Sequence, residues 1–177
     1  MSYKILIHTA FFAEAKAVAE YFRLQCLQTK PYKIYAKDEI VLVVSGMGEE
    51  CRLVLEDIFG KYKFKRAINL GVAGCKDRDI EIGSLFCTTH DLGFIEMQSL
   101  SSSAKPIDDP RLLKSTLVDM ESSVFTQISQ KFLKKEEIFI LKVVSDHLET
   151  KIPKKEFIWK IMKKNLKNIS RVVTMEN

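Results

Sequence analysis

The sequence predicts an α/β fold of three layers, α/β/α, around a mostly parallel, mixed central sheet. Two patterns and one placement carry this. Short apolar, β-branched runs alternate along the chain with one-sided helical segments, the mark of helices packed over a sheet. The strand runs are apolar nearly throughout, as strands covered on both faces are. Glycine-rich or polar residues follow these runs at Ala10–Glu14, Ser45–Gly48, Gly71–Gly74 and Ser145–Asp146. In open α/β sheets a ligand crevice lies beyond the carboxyl ends of the strands, so each of these could line one site.

Tyr3–His8 reads as the first buried strand. Phe11–Arg23 follows as a helix, with apolar residues at Ala10, Ala13, Ala17, Val18, Tyr21 and Phe22. Glu14 lies in its first turn, where the helix dipole alone favours a carboxylate. Tyr32–Ala36 and Glu39–Val44 read as a hairpin turning at Lys37-Asp38. Ser45-Gly46-Met47-Gly48 then leads into a helix over Glu49–Phe59; such a turn aims backbone N–H groups at a ligand. It is neither a dinucleotide fingerprint nor a phosphate loop with its lysine. Arg66–Leu70 is the next strand, and it runs into Gly71-Val72-Ala73-Gly74, where a ligand can approach the backbone. Lys76–Glu81 is a charged turn and Ile82–Thr88 a further strand. Gly93–Lys114, rich in Ser, Asp and Pro, is expected to be a loop or lid. Ser115–Val118 leads to Asp119-Met120-Glu121 and a helix whose spacing continues through Val124, Phe125, Ile128 and Phe132. Glu137–Val144 is an apolar strand holding one lysine, Lys142, which needs a partner or water. Lys154–Lys167 is an amphipathic helix. The tail beyond Ser170 is expected to be frayed or lightly docked.

The 177 residues, 46% hydrophobic and 29% charged, suit one domain over 1–177 with a real core. No apolar run approaches the roughly 18 residues of a membrane span, and the N-terminus does not read as a signal peptide. Cys26, Cys51, Cys75 and Cys87 stand singly, without zinc spacing, and are expected to be reduced and mostly buried in a cytoplasmic protein. His90-Asp91 is a poor metal pair, since neighbours on a strand point to opposite faces. No metal or other cofactor is expected. The net charge of +5 comes largely from lysines of the C-terminal third, which read as a solvated helix face. Trp159 and Phe157 are too few aromatics for a nucleic-acid stripe, so neither nucleic acid nor membrane is an expected partner.

Neither Leu117–Glu121 nor Lys142–Asp146 is needed to build a core, and both place acids at chain reversals. With Glu14 they read as one acid/base site for a ribosyl group. Breaking an N-glycosidic bond builds positive charge on the sugar and negative charge on the departing base. A carboxylate beside the sugar can stabilise that centre and take a proton from water. A second acid, its pKa raised by burial, can neutralise the leaving group.

Taken together, Ala10–Glu14, Ser45–Gly48, Ile68–Gly74, Ile82–Leu85, Val118–Glu121 and Val143–Asp146 resemble, in order, motifs of the nucleoside phosphorylase superfamily. The nearest branch in pattern is the 5'-methylthioadenosine/S-adenosylhomocysteine nucleosidases. The resemblance implies hydrolysis of a purine nucleoside and release of free base. Glu14 falls on the acid that activates water, and Asp146 on the aspartate that meets N7 of the base. Glu121 falls on the ribose-binding acid and Met120 on the methionine against the sugar. Ser145 falls on the serine supporting Asp146. Gly46, Val72, Ala73, Gly74 and Asp119 complete the expected substrate-binding set.

The chain departs from that pattern in three places. Val72 stands for a small hydroxyl residue and Lys142 for an arginine. The stretch from Ile82 to Asp119 is shorter than the family's, which leaves Phe94 or Met97 as the candidate that stacks on the purine. No arginine lies in Thr9–Glu14 or Gly71–Cys75 to hold phosphate, which favours water as nucleophile. A phosphorylase and a catalytically degenerate nucleoside-binding relative are the alternatives. The resemblance also implies a homodimer.

Overall fold

The computed structural model describes residues 3–48, 50–149, 151 and 153–175. Among the described residues, ten strands form one sheet. The centre is parallel. β1 (Ile5–Thr9) lies between β4 (Ile40–Val44) and β5 (Arg66–Cys75), and β10 (Ile138–Asp146) lies on the far side of β5. Towards one edge β3 (Lys33–Lys37) runs antiparallel to β4 and β2 (Gln25–Gln28) to β3; towards the other, β6 (Leu85–Cys87) runs antiparallel to β10 and β7 (Glu96–Met97) parallel to β6.

Alternation along the central strands splits the core in two. Ile7, Leu42, Ile68, Leu70, Leu141 and Val143 pack under α1 (Phe12–Phe22), α4 (Lys155–Lys164) and α5 (Leu166–Thr174). Leu6, Val41, Val43, Ala67 and Ile138 face the other way, against α2 (Glu50–Lys61) and α3 (Ser122–Ser129). That is the expected three-layer fold.

The differences from sequence expectation have physical causes. α2 starts at Glu50; its expected first residue, Glu49, lies outside the described residues. β2, Gln-Cys-Leu-Gln, is a mostly exposed four-residue edge strand with no buried apolar face, which hydrophobic patterning cannot reveal. Of the run 82–88 only three residues pair, as β6. The expected loop 93–114 contains β7 (Glu96–Met97) and β8 (Leu100–Ser102), short strands held by backbone pairing to β6 and β9 (Leu117–Asp119). α3 stops at Ser129, before Phe132. Over its described residues, to Met175, the tail is not frayed: α5 buries Ile169, Val172 and Val173 completely. Its backbone carbonyls at Val172, Val173 and Met175 accept from the buried Arg66 guanidinium.

β1, β5 and β10 run parallel, so their carboxyl ends open on one edge. β9 returns antiparallel against Gly74 and Cys75 and delivers Asp119–Glu121 to that same edge.

Candidate active site

A crevice opens there, with Glu14, Asp119, Glu121 and Asp146 among its lining side chains. Glu14 is almost fully buried. Its Oε2 accepts from the N–H groups of Ala10 (3.1 Å) and Phe11 (2.9 Å), and its Oε1 from Val72 N–H at 2.9 Å. A carboxylate has about four lone-pair positions. Three are filled here, which leaves one on Oε1. Burial pushes the Glu14 pKa up to about 7, against the opposing pull of the Phe11 and Val72 amides and of Lys142. Gly71 makes room for this arrangement: a Cβ at that position would stand 2.9 Å from Glu14 Oε1 and 3.4 Å from Lys142 Nζ.

Lys142 has its partner. Its ammonium, 1% exposed, lies 2.7 Å from Asp119 Oδ2. Asp119 also accepts from Ser122 N–H (2.9 Å), Ser122 Oγ (2.6 Å) and Ser102 Oγ (2.8 Å). Burial would raise the Asp119 pKa, but Lys142 and these donors outweigh it and hold the carboxyl below its usual range. Burial would likewise lower the Lys142 pKa, and the charges of Asp119 and Glu121 reverse that. Both oxygens of Asp119 are therefore engaged inside the protein. Asp119 touches the crevice, but it serves Lys142 and the start of α3, where the sequence reading has it bind substrate.

Glu121 is the N-cap residue of α3 and is 7% exposed. Burial raises its pKa, countered by Lys142 and by the N–H groups of Met120 and Gly48. Gly46, expected in the binding set, is not on the crevice wall; Met47 is. Gly46 instead shapes the turn, with φ +91° and its N–H on Ala10 O at 3.1 Å. The turn is also held from below by His8, which sequence reading missed. His8 is fully buried, stacked on Phe125, with Nδ1 2.8 Å from Asn69 Nδ2 and Nε2 2.6 Å from Ser45 Oγ. Burial, helped by Lys142, takes its pKa down to about 3, so the ring is neutral. With Asn69 donating to Nδ1, the ring proton sits on Nε2 and goes to Ser45, whose hydroxyl donates to Gly46 O at 3.0 Å. A histidine inside an otherwise apolar strand was the signal in the sequence.

The register of β10 against β5 shifts between Val144 and Asp146, a bulge that re-aims Ser145. Ser145 Oγ lies 2.6 Å from Asp146 Oδ2 and 3.3 Å from Ala73 O. Asp146 Oδ1 accepts from Glu149 N–H at 3.0 Å. Val72, Ala73, Gly74 and Met120 line the same crevice. A Cβ on Gly74 would stand 3.3 Å from Asp146 Oδ1, so close backbone approach is used there.

Phe94 and Met97 do not line the crevice. Phe94 lies under Arg171, 3.7 Å from guanidinium carbon to ring centroid, and packs against the α1/α4/α5 core; Met97 is exposed. From the same stretch it is Lys105, Pro106 and Ile107 that line the crevice. That loop is tied to the site through Ser103, whose N–H donates to Asp119 O at 2.8 Å and whose hydroxyl donates to Lys105 O at 2.6 Å. Among the described residues no group of His, Cys, Asp and Glu is arranged to hold a metal ion, and no helix is long and apolar enough to cross a membrane.

The fold is that of the nucleoside phosphorylase-like nucleosidases. The structure is similar to the 5'-methylthioadenosine/S-adenosylhomocysteine nucleosidase of Helicobacter pylori, solved with butyl-thio-DADMe-Immucillin-A, with a TM-score of 0.79, 18% identity and 98% of each chain covered. It is similar to the futalosine hydrolase of Helicobacter pylori strain 26695, with a TM-score of 0.78, 18% identity and 98% of each chain. The corresponding nucleosidase of Campylobacter jejuni gives 0.74 and 18%, over 95% of this chain and 97% of that one. No protein-family profile matches the sequence, and no curated protein matches it.

Proposed function

We propose that the protein hydrolyses the N-glycosidic bond of a purine nucleoside, of the methylthioadenosine or S-adenosylhomocysteine kind, and releases the free base. The observation that carries this reading is Glu14: a buried carboxylate at the crevice, pKa about 7, with three backbone donors fixing it and one lone pair free. Such a group is half-ionised near neutral pH and is oriented to take a proton from one water. Glu121 accepts from the ribose hydroxyls, and Met120 packs on the sugar. Asp146, held by Ser145 and the Glu149 N–H, meets N7 as the base departs. The negative charges of Glu14 and Glu121 favour the oxocarbenium-like sugar, while Lys142 limits the carboxylates' mutual repulsion. The names of the structural neighbours, two nucleosidases and a futalosine hydrolase, support the same reaction class. Among the described residues no arginine lines the crevice, which supports water over phosphate as nucleophile.

The test is release of free base from methylthioadenosine, S-adenosylhomocysteine, adenosine and inosine, each with and without phosphate. Release without phosphate is expected; release only with it would make the protein a phosphorylase, and none at all would make it a binding relative. Asp146→Asn is expected to lower kcat at least roughly a hundredfold, and unchanged turnover would remove Asp146 from the mechanism. Gly71→Ala is expected to displace the Glu14 carboxylate and cost roughly ten- to a hundredfold in kcat. Gly60→Ala, where a Cβ meets nothing within 4 Å, serves as the neutral control. We further propose a cytoplasmic homodimer, and a sedimenting species of 20.4 kDa would overturn the dimer.

A further inference from the structure

His8 and Asn69 are buried polar residues that the mechanism leaves unused, and neither lines the crevice. They face each other in register on β1 and β5, under Phe125 of α3, which stacks on the His8 ring. An apolar side chain would fill this space without desolvating a polar group, whereas an imidazole needs partners for both nitrogens. Nδ1 takes Asn69, and Nε2 donates to Ser45 Oγ at 2.6 Å. Ser45 opens a turn that little defines locally. Gly46 and Gly48 both have left-handed backbones, φ +91° and +57°, and glycine enters other regions as readily. The turn is held from outside itself. Ser45 N–H donates to Thr9 O and Gly46 N–H to Ala10 O, each at 3.1 Å, and a chain runs from His8 through Ser45 Oγ to Gly46 O, the last step 3.0 Å. Of these ties only the chain from His8 runs through side chains.

The far end of the turn reaches the site. Met47 lines the crevice, and the Gly48 N–H donates to the Glu121 carboxylate. The other backbone donor to Glu121 is its own neighbour, Met120, so Gly48 is the one that comes from another segment. We propose that His8 is a positioning residue for sugar recognition: through Ser45 it holds the Ser45–Gly48 turn, and the turn holds the Glu121 carboxylate where it meets the ribose hydroxyls. This rests on the nucleosidase reading, in which Glu121 accepts from those hydroxyls, and deepens it. The His8 ring is neutral, so it acts through geometry and moves no proton. A loosened turn withdraws the Gly48 N–H and frees the carboxylate to swing. A compound that offers ribose hydroxyls then loses a charge-assisted hydrogen bond, and a compound without them loses nothing.

The experiment compares kcat/KM for methylthioadenosine and its 2',3'-dideoxy analogue in the wild type, His8→Asn, His8→Gln and Ser45→Ala. The amide of Asn ends near the Nδ1 position and that of Gln near Nε2, so His8→Asn gives up Ser45 and His8→Gln keeps it. The wild type is expected to favour the ribonucleoside. His8→Asn and Ser45→Ala are expected to lose about tenfold on it and nothing on the dideoxy analogue, the worth of one hydrogen bond to a charged group. His8→Gln is expected to recover most of that loss. Ser45→Ala, a change at a half-buried residue, carries the test if His8→Asn does not fold. An equal loss on both compounds overturns the proposal, because a merely structural histidine would weaken the whole site. A loss in His8→Gln as large as in His8→Asn overturns it too, as does a wild type that handles both compounds alike. Equilibrium dialysis of the same two compounds separates the two readings. Discrimination in binding that falls in His8→Asn and returns in His8→Gln, without turnover of either compound, upholds the role of His8 and fails the hydrolase. Turnover with a discrimination that no variant changes fails the role of His8 and leaves the hydrolase standing.

Discussion

Glu14→Gln is expected to lower kcat/KM at least a hundredfold and to remove the acidic limb of its pH profile. The wild-type limb should fall near pH 7, where burial has moved this carboxyl, because only the ionised form can accept a proton from water. The amide keeps the size, and with its oxygen turned to Ala10 and Phe11 it keeps two of the three backbone donors and gives up the one from Val72. The same substitution has a second consequence of opposite sign. A carboxyl whose pKa is raised from 4.5 to about 7 on folding is most compatible with the fold below 4.5. Its ionisation then removes about 3 kcal/mol of stability as pH rises through 7. Whatever the lost Val72 hydrogen bond costs at every pH, Glu14→Gln should compare better with the wild type at pH 8 than at pH 4, as read from urea midpoints. A difference that does not change between pH 4 and pH 8 would mean that burial does not raise the Glu14 pKa.

Lys142→Met is expected to cost about 3–5 kcal/mol, because it leaves the Asp119 carboxylate buried without its cation. Urea unfolding at pH 7 measures this. Replacing both partners, Lys142→Met with Asp119→Leu, should restore much of the loss, since an apolar pair needs no desolvation of charge. The pH window follows from the shifts. Asp119, held below its ordinary 3.8, contributes stability above that value and loses it as pH falls through its lower folded pKa. Lys142, held above 10.5, contributes below that value and loses it only in strong alkali. The pair should thus stabilise the fold evenly from about pH 4 to 10, while Glu14 declines through 7. A loss under 1 kcal/mol in Lys142→Met would show that the ammonium does not compensate Asp119.

The layered α/β fold was legible because its cause is local. Apolar runs such as Ile138–Val144 pack on both faces, and the amphipathic turns of Lys155–Lys164 cover one of them. The carboxyl ends of β1, β5 and β10 could be placed at one edge because parallel strands end together, although the strands run further than expected and take in Val72–Gly74 and Asp146. Glu14, Asp146 and the Val72–Gly74 backbone could be singled out in that way, and Glu121 by the resemblance of Val118–Glu121.

What remained needed the third dimension. Nothing in Val-Asp-Met-Glu says which acid is spent inside; Asp119 is, because Lys142 arrives beside it from a strand distant in sequence. Phe94 had the right chemistry for a stacking group, but the chain carries it away from the crevice lining, under Arg171. Ser101 and Ser102 looked like loop residues, yet backbone pairing to β9 makes them a strand and brings Lys105–Ile107 to the crevice. The sequence by itself determined the elements, the layers and the kinds of chemistry available. Only the tertiary structure decided which polar groups neutralise one another and which are left free, because that depends on distances between segments that no local pattern encodes.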